Sequence, residues 1–382
     1  MTRRRARPRP LADADAPQGR GIEREALTAY LARLLGGRVE LVAVRRLGGG
    51  EPGVDDPKGF GYGGPLEVDC RVDGRPRALV ISRTRPAQGF GHDYPADRAW
   101  QALYGHHAYN SFPRHVASLD VGFVRAGGEI VSAADAVEFF QLVEKAEGSL
   151  YWLDLARMIS DPPRDLDRRR VEALARFLAA AHADRRDEPT LYQRRVRELV
   201  GHGECVMGIL DSYPDGYPLL AEPAREAFER AMVSWRWRLR AYAHRVRRIH
   251  GDFHPWNLLF REGTTELAVL DRSRGEWGEP ADDVAALGIN YLFFGIQKSA
   301  RAGGGRVDEP FLQLFRTFLD TYVAASGDAE VLQTLPPFLA FRALVIAHPR
   351  WYPDLADASR RALLRFADRM VSATRFDAAD LG

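Results

Sequence analysis

The stretch that decides this chain runs Ile249-His250-Gly251-Asp252-Phe253-His254-Pro255-Trp256-Asn257-Leu258-Leu259-Phe260. An aspartate and an asparagine stand five residues apart, and Pro255 between them is a poor fit to a continuing helix, so the segment reads as a loop. Apolar residues on both sides would anchor that loop in a core. Fourteen residues after Asn257 comes Asp271, at the end of the apolar run Leu267-Ala268-Val269-Leu270, which reads as a strand. Two carboxylates and an amide oxygen suit a hard cation such as Mg²⁺, which takes oxygen ligands. A carboxylate left free of the metal can act as a base or orient a hydroxyl nucleophile.

His250-Gly-Asp-Phe-His-Pro-Trp-Asn257, followed by a strand ending in Asp271, resembles the catalytic core of the aminoglycoside phosphotransferase/choline kinase-like family, whose members share the protein-kinase-like fold. The resemblance extends to Gly278-Glu279-Pro280-Ala281-Asp282-Asp283-Val284-Ala285. It follows the order of elements from about Arg38 to Tyr291 and is sharpest from Ile249 to Leu287. It implies a bilobal α+β fold with a β-rich N-lobe and a mostly helical C-lobe. It also implies transfer of the γ-phosphoryl group of ATP or GTP, with Mg²⁺, to a hydroxyl of a small molecule such as an aminoglycoside-like antibiotic, sugar or other natural product. On the matching positions, Asp252 orients or deprotonates the acceptor, and Asn257 and Asp271 hold the metal. His254 stands where protein kinases carry a catalytic-loop lysine, against the transferred group. Such a reaction needs positioning and charge neutralisation more than covalent help. His250 reads as a structural histidine bonded to nearby backbone, Asp283 as a brace for the loop, Asp282 as a helix N-terminal residue and Trp256 as packing.

The nucleotide side is expected in the first lobe. Lys58-Gly59-Phe60-Gly61-Tyr62-Gly63-Gly64 carries Gly59, Gly61 and Gly64 at phosphate-loop spacing, directly before the strand Leu66 to Val72. Glycines let backbone N–H groups approach phosphates closely. Gly48-Gly49-Gly50 competes for that role. The family pattern places a lysine on the next strand, where this chain has Ser82 and then Arg83, and a glutamate on the following helix, where Asp97 is the one acid in Ala96-Asp97-Arg98-Ala99-Trp100. Arg83 and Lys58 are equal candidates for the phosphate-facing charge, although a guanidinium fork does not reproduce an ammonium point charge. Backbone groups near Lys145 and Ala146 are expected to meet the adenine edge. Arg272-Ser273-Arg274 stands where the family often has a second acid, so those arginines offer instead to bind an anion.

The rest of the chain sets bounds. Its 382 residues suggest two domains or one bilobal unit. Apolar residues at 46% and charged residues at 28% make it globular rather than disordered. A net charge of +2 disfavours a nucleic-acid binder driven by bulk charge. Of 54 basic residues only Lys58, Lys145 and Lys298 are lysines, so any site that needs one has three candidates. Two cysteines, Cys70 and Cys205, cannot build a disulfide framework. No apolar run reaches membrane-span length, so no membrane partner and a cytoplasmic location are expected. Residues 1–20 read as a disordered leader, 21–145 as the nucleotide-binding N-lobe and 146–382 as the C-lobe. Helices are expected at Ile22–Leu35, Ala96–Tyr109, Val171–Asp184, Leu191–Leu210, Pro223–Arg248, Ala281–Phe294, Glu309–Ala325, Phe338–Ala347 and Ser359–Thr374. Strands are expected at Val39–Leu47, Leu66–Val72, Ala78–Ser82 and Val116–Val124, with Asp73-Gly74 as a hairpin turn. Trp235-Arg236-Trp237-Arg238 reads as an amphipathic packing helix, and Asp211, Asp215 and Glu222 as surface residues. Two other readings stand beside the kinase: a catalytically impaired nucleotide-binding regulator of the same fold, and a nucleotidyl-transferring member.

Overall fold

The computed structural model describes residues 22–46, 63–86, 89–304 and 306–381. Lys58, Gly59, Gly61, the competing glycines 48–50 and the leader lie outside them. The described chain divides into two compact units, one ending at Leu142 and one beginning at Val143.

The first unit is built on an antiparallel meander. Helix α1 (Arg24–Leu35) leads into strands β1 (Val39–Arg46), β2 (Leu66–Val72) and β3 (Arg75–Ile81), paired in the order β1-β2-β3. The turn between β2 and β3 is Asp73-Gly74, with φ of 49° and 79°. Two positive φ values match the twist of a two-residue hairpin, which is why Asp-Gly serves there. One face of the sheet packs Val68 and Leu79 against Leu27 and Leu31 of α1. Helix α2 (Pro95–Ser111) follows, then the short hairpin β4 (Gly122–Val124) and β5 (Ile130–Ser132), whose Ile130 completes the core. The strand expected over Val116–Val124 is therefore confined to its last three residues. Ser118 is occupied by hydrogen bonds to Asn110 and His106 of α2 instead of a strand ladder.

The second unit opens with β6 (Ser149–Leu150) and α3 (Tyr151–Ser160), α4 (Asp165–Ala181), α5 (Pro189–Gly201), α6 (Val206–Asp211) and α7 (Glu222–Leu239). Two expected helices are corrected here. Leu191–Leu210 breaks into α5 and α6 around Gly201-His202-Gly203. Pro223–Arg248 ends as α-helix at Leu239 and tightens into a 3-10 turn over Arg240–Arg245. Next come β7 (Arg247–Arg248), β8 (Leu258–Phe260), β9 (Leu267–Val269) and β10 (Trp277–Gly278), then α8 (Pro280–Arg301), α9 (Glu309–Ser326), α10 (Val331–Ala347) and α11 (Asp357–Ser372). Helix α8 buries 15 of its 22 residues, so it is a central helix rather than an amphipathic surface one.

Helix α10 starts seven residues before the expected Phe338, because Pro336 and Pro337 lie inside it. A proline has no N–H for the carbonyl four residues back. Here the carbonyl of Leu332 instead accepts the N–H of Phe376 at 2.7 Å. The helix survives because a distant segment supplies the missing donor.

β6, β8 and β9 form a three-stranded antiparallel sheet in which Ser149 faces Phe260 and Leu258 faces Val269. Arg170 of α4 fastens the β8–β9 turn, donating to the carbonyls of Thr264 (2.9 Å) and Arg261 (3.0 Å) and pairing with Asp154. The loop before β8 is thus held on a clamped hairpin.

Candidate active site

The loop Ile249–Asn257 connects β7 to β8, and its backbone is fixed from below by one buried carboxylate. Asp283, in the first turn of α8, accepts the N–H of His250 (2.7 Å) and of Gly251 (2.7 Å) and meets His182 Nε2 at 3.1 Å. His182 Nδ1 lies 2.8 Å from the hydroxyl of Tyr322. Burial opposes the charge on Asp283, but His182 and the N–H and ring of His250 outweigh it and hold the carboxyl below its ordinary range. Gly251 has φ of 86°, and a Cβ there would meet the backbone of Arg274 and Gly275 at about 3.0 Å. The glycine is required by both the turn and the close approach.

His250 is structural, as the sequence suggests. Its Nδ1 accepts the N–H of Asp252 at 3.2 Å, so its proton sits on Nε2 and is donated to the carbonyl of Leu270 at 2.8 Å. That bond, with Leu270 N–H on the carbonyl of Asn257 (2.8 Å), brings the end of β9 beside the loop. Asp271 follows at once, exposed and with φ of 46°. The hydroxyl and N–H of Ser273 hold its carboxyl low, while burial and the negative charge of Asp252 push the other way. The two carboxylates are therefore close enough to repel, which a shared cation would relieve.

Asp252 is mostly buried and faced by two guanidinium groups and an imidazole. Its Oδ1 accepts Arg342 Nη1 at 2.5 Å. Its Oδ2 faces His254 Nε2 at 3.4 Å and Arg274 Nε at 3.8 Å. Burial raises the carboxyl, but Arg342, His254 and Arg274 overcome it and hold Asp252 far below the usual carboxylate range. His254 Nδ1 accepts the N–H of Trp256 at 3.2 Å, so in the neutral ring the proton is on Nε2, toward Asp252. Asn257 points its amide nitrogen at the carbonyl of Asp252 (3.1 Å), which turns its amide oxygen away from that bond. Trp256 packs, as expected: it stacks on Trp152 of α3 at 6.0 Å and meets Phe294 and Tyr352 at 6.3 Å each. The Tyr352 phenol is pushed up to about 12 by burial and by the charge of Asp252, and so stays protonated.

The metal donors proposed from sequence fit the ion's chemistry. Asp271 and Asn257 offer two oxygens. Among the described residues no cluster of three or more histidine, cysteine or acidic side chains is poised around a cation. Mg²⁺ is commonly held by one or two protein oxygens and otherwise by phosphates and water, so a two-donor set suits it better than a closed protein cage would.

The remaining candidates sit elsewhere. In the first unit the N–H of Gly64 donates to the carbonyl of Arg83 at 2.9 Å, so the end of the glycine-rich stretch and the strand-end arginine are adjacent. Thr84 Oγ1 bonds Gln101 of α2 at 2.9 Å, while Asp97 accepts the N–H of Tyr94 as a helix cap. In the second unit Lys145 and Ala146 precede Gly148, whose φ of 140° brings the chain against the carbonyl of Phe260 as β6 begins. Two residues escaped the sequence reading. Arg342 stands ninety positions from Asp252, and Asp282, read as a helix-start acid, also pairs with Arg342 at 2.7 Å. The available signal was that Arg342 is the lone charged residue in the otherwise apolar α10.

Residues 129–318 match the model of the phosphotransferase enzyme family, APH. The chain belongs to that family. No curated protein matches it. The fold class is the α+β one expected from the sequence, with a sheet-containing first unit and a mostly helical second one. Among solved structures this phosphotransferase is similar to a glucosamine kinase, with 16% identity over 87% of this chain and 92% of that one and a TM-score of 0.40. It is similar to an ethanolamine kinase of Plasmodium vivax, with 11% identity over 88% and 82% and a TM-score of 0.37. It is also similar to an amicoumacin kinase in complex with AMP-PNP, Ca²⁺ and Ami, with 14% identity over 89% and 92% and a TM-score of 0.37. Among the described residues no helix is long and apolar enough to cross a membrane.

Proposed function

We propose that this phosphotransferase is an ATP- and Mg²⁺-dependent small-molecule kinase that phosphorylates a hydroxyl. The observation that carries the reading is the convergence of Asp252, Asn257 and Asp271 around one loop that Asp283 braces from beneath. Asp252 orients the acceptor hydroxyl. Its carboxyl is held so acidic that it accepts the proton late, which suits a loose transition state in which the nucleophile needs little prior deprotonation. Asn257 Oδ1 and Asp271 would hold Mg²⁺, which when bound neutralises charge on the phosphates. His254, with Nε2–H directed into the site, is placed to donate to the transferred group. On the nucleotide side, backbone near Lys145 and Ala146 meets the adenine edge. Gly59, Gly61 and Gly64 cradle phosphates, with Arg83 or Lys58 supplying charge.

The test is incubation with Mg-ATP, and in parallel Mg-GTP, against a panel of aminoglycosides, amino sugars, sugars and alcohols, read by mass spectrometry. One added phosphoryl group on one acceptor supports the proposal. An added AMP would replace it with nucleotidyl transfer. No product, together with no thermal shift by Mg-ATP, would replace it with a regulator that does not turn over.

A further inference from the structure

The two carboxylate oxygens of Asp252 live in different surroundings. Oδ1 is bound by Arg342 Nη1 at 2.5 Å. The same guanidinium donates through Nη2 to the carbonyl of Gly251 (3.0 Å) and to Asp282 Oδ1 (2.7 Å). Its position is thus fixed by three acceptors, two on the catalytic loop and one at the start of α8. Among the described residues Oδ2 has looser neighbours, His254 Nε2 at 3.4 Å and Arg274 Nε at 3.8 Å. Distances beyond about 3.2 Å leave a lone pair available for a closer donor.

We infer that Arg342 is a positioning residue that locks Oδ1 of Asp252, so that Oδ2 is the oxygen that takes the acceptor hydroxyl. The inference rests on the kinase reading above. In the step, the acceptor oxygen bonds to the γ-phosphorus, the bond from that phosphorus to the β–γ bridging oxygen breaks, and ADP leaves with the electron pair. The acceptor proton passes to Oδ2 and then to solvent. Arg342 does not touch the acceptor. It fixes the rotation of the carboxylate.

The cost of the arrangement points the same way. Arg342 is buried at 8% exposure, and its Nε is buried without a hydrogen-bond partner among the described residues. An unsatisfied buried donor is destabilising, and a buried ion pair rarely outperforms apolar packing. An apolar side chain in the apolar α10 would serve stability as well. A charge kept there serves the carboxylate it faces.

The experiment compares wild type with Arg342→Met, Arg342→Lys and Asp282→Asn. Folding is checked by thermal melts. Turnover is followed with the acceptor found above and with water as acceptor through Mg-ATP hydrolysis. Arg342→Met should lower kcat ~100-fold, the scale of losing a positioning contact, with the KM for Mg-ATP within about twofold. Arg342→Lys should recover about tenfold of the loss. Asp282→Asn, which removes one of the three acceptors that fix the guanidinium, should lower kcat less than Arg342→Met and again leave KM within about twofold. Wild type that transfers to no acceptor, water included, overturns the kinase reading on which the inference rests. An active wild type whose folded Arg342→Met variant keeps its kcat, or whose loss Arg342→Lys does not recover, overturns this inference alone. Should Arg342→Met fail to fold, folded Arg342→Lys and Asp282→Asn variants that both keep the wild-type kcat do the same.

Discussion

Arg245 and Arg342 are both buried in the helical unit, and each bridges carboxylates: Glu279, Asp328 and Glu330 for Arg245, Asp252 and Asp282 for Arg342. Arg245 ends the 3-10 turn before β7. It holds Glu279 through Nε (3.0 Å) and Nη2 (2.8 Å) and Asp328 through Nη1 (2.5 Å). Glu279 in turn accepts from Tyr192 (2.8 Å), Thr334 (3.1 Å) and the N–H of Ala281 (3.2 Å), capping α8. Every partner there is structural. Among the described residues Arg342 has a buried nitrogen without a partner, and one of its carboxylates, Asp252, belongs to the proposed chemistry. One arginine holds the end of the central helix; the other holds the carboxylate of the proposed chemistry. Burial and carboxylate pairing alone therefore do not define a role, and the identity of the carboxylate decides.

The comparison can be broken most sharply at the carboxylates. Asp252→Ala should lower kcat by about 10²–10⁴-fold, the usual range for such a group, in protein that still folds. Retained turnover in steady-state assays would dissolve the distinction. Arg245→Met strands Glu279 without its cation, and breaking a buried pair costs about 3–5 kcal/mol. Chemical denaturation should show that loss, while kcat per folded molecule stays near wild type. Asp283→Ala removes the acceptor for two buried loop N–H groups and should cost about 1–3 kcal/mol for each donor left unsatisfied. It should also lower kcat, because the loop that carries Asp252 loses its brace.

Acid denaturation sharpens the same point. The folded-state carboxyl of Asp252 is depressed, so the stability it contributes is fully present above its unfolded value near 3.9 and is lost as pH falls through the lower folded value. Its contribution should be flat above about pH 5, decline only below about pH 4, and vanish from the acid limb in Asp252→Asn. The smallest effect is expected in the first unit. Arg83→Ala and Lys58→Ala should raise the KM for ATP by about tenfold in whichever residue carries the charge, and leave kcat nearly unchanged.

The candidate loop was legible because its pattern is local. Asp252, His254 and Asn257 occupy one short loop, and Asp271 lies two residues past β9, which pairs with β8 after that loop, so spacing alone nearly fixes their proximity. Asp283 was legible as a brace for the same reason. The helices of the second unit were legible as apolar periodicity, less so where a glycine pair split α5 from α6 or where Pro336-Pro337 concealed the start of α10. Those boundaries turn on partners far away in the chain, as the N–H of Phe376 on Leu332 illustrates.

By itself, then, the sequence determined the phosphotransferase family, and it supplied the loop and the residue types proposed to serve the reaction. Only the tertiary structure decided which oxygen of Asp252 is held and by what. A residue ninety positions away reaches that oxygen through helix packing, and packing is set by burial of whole apolar faces rather than by any local pattern around Arg342.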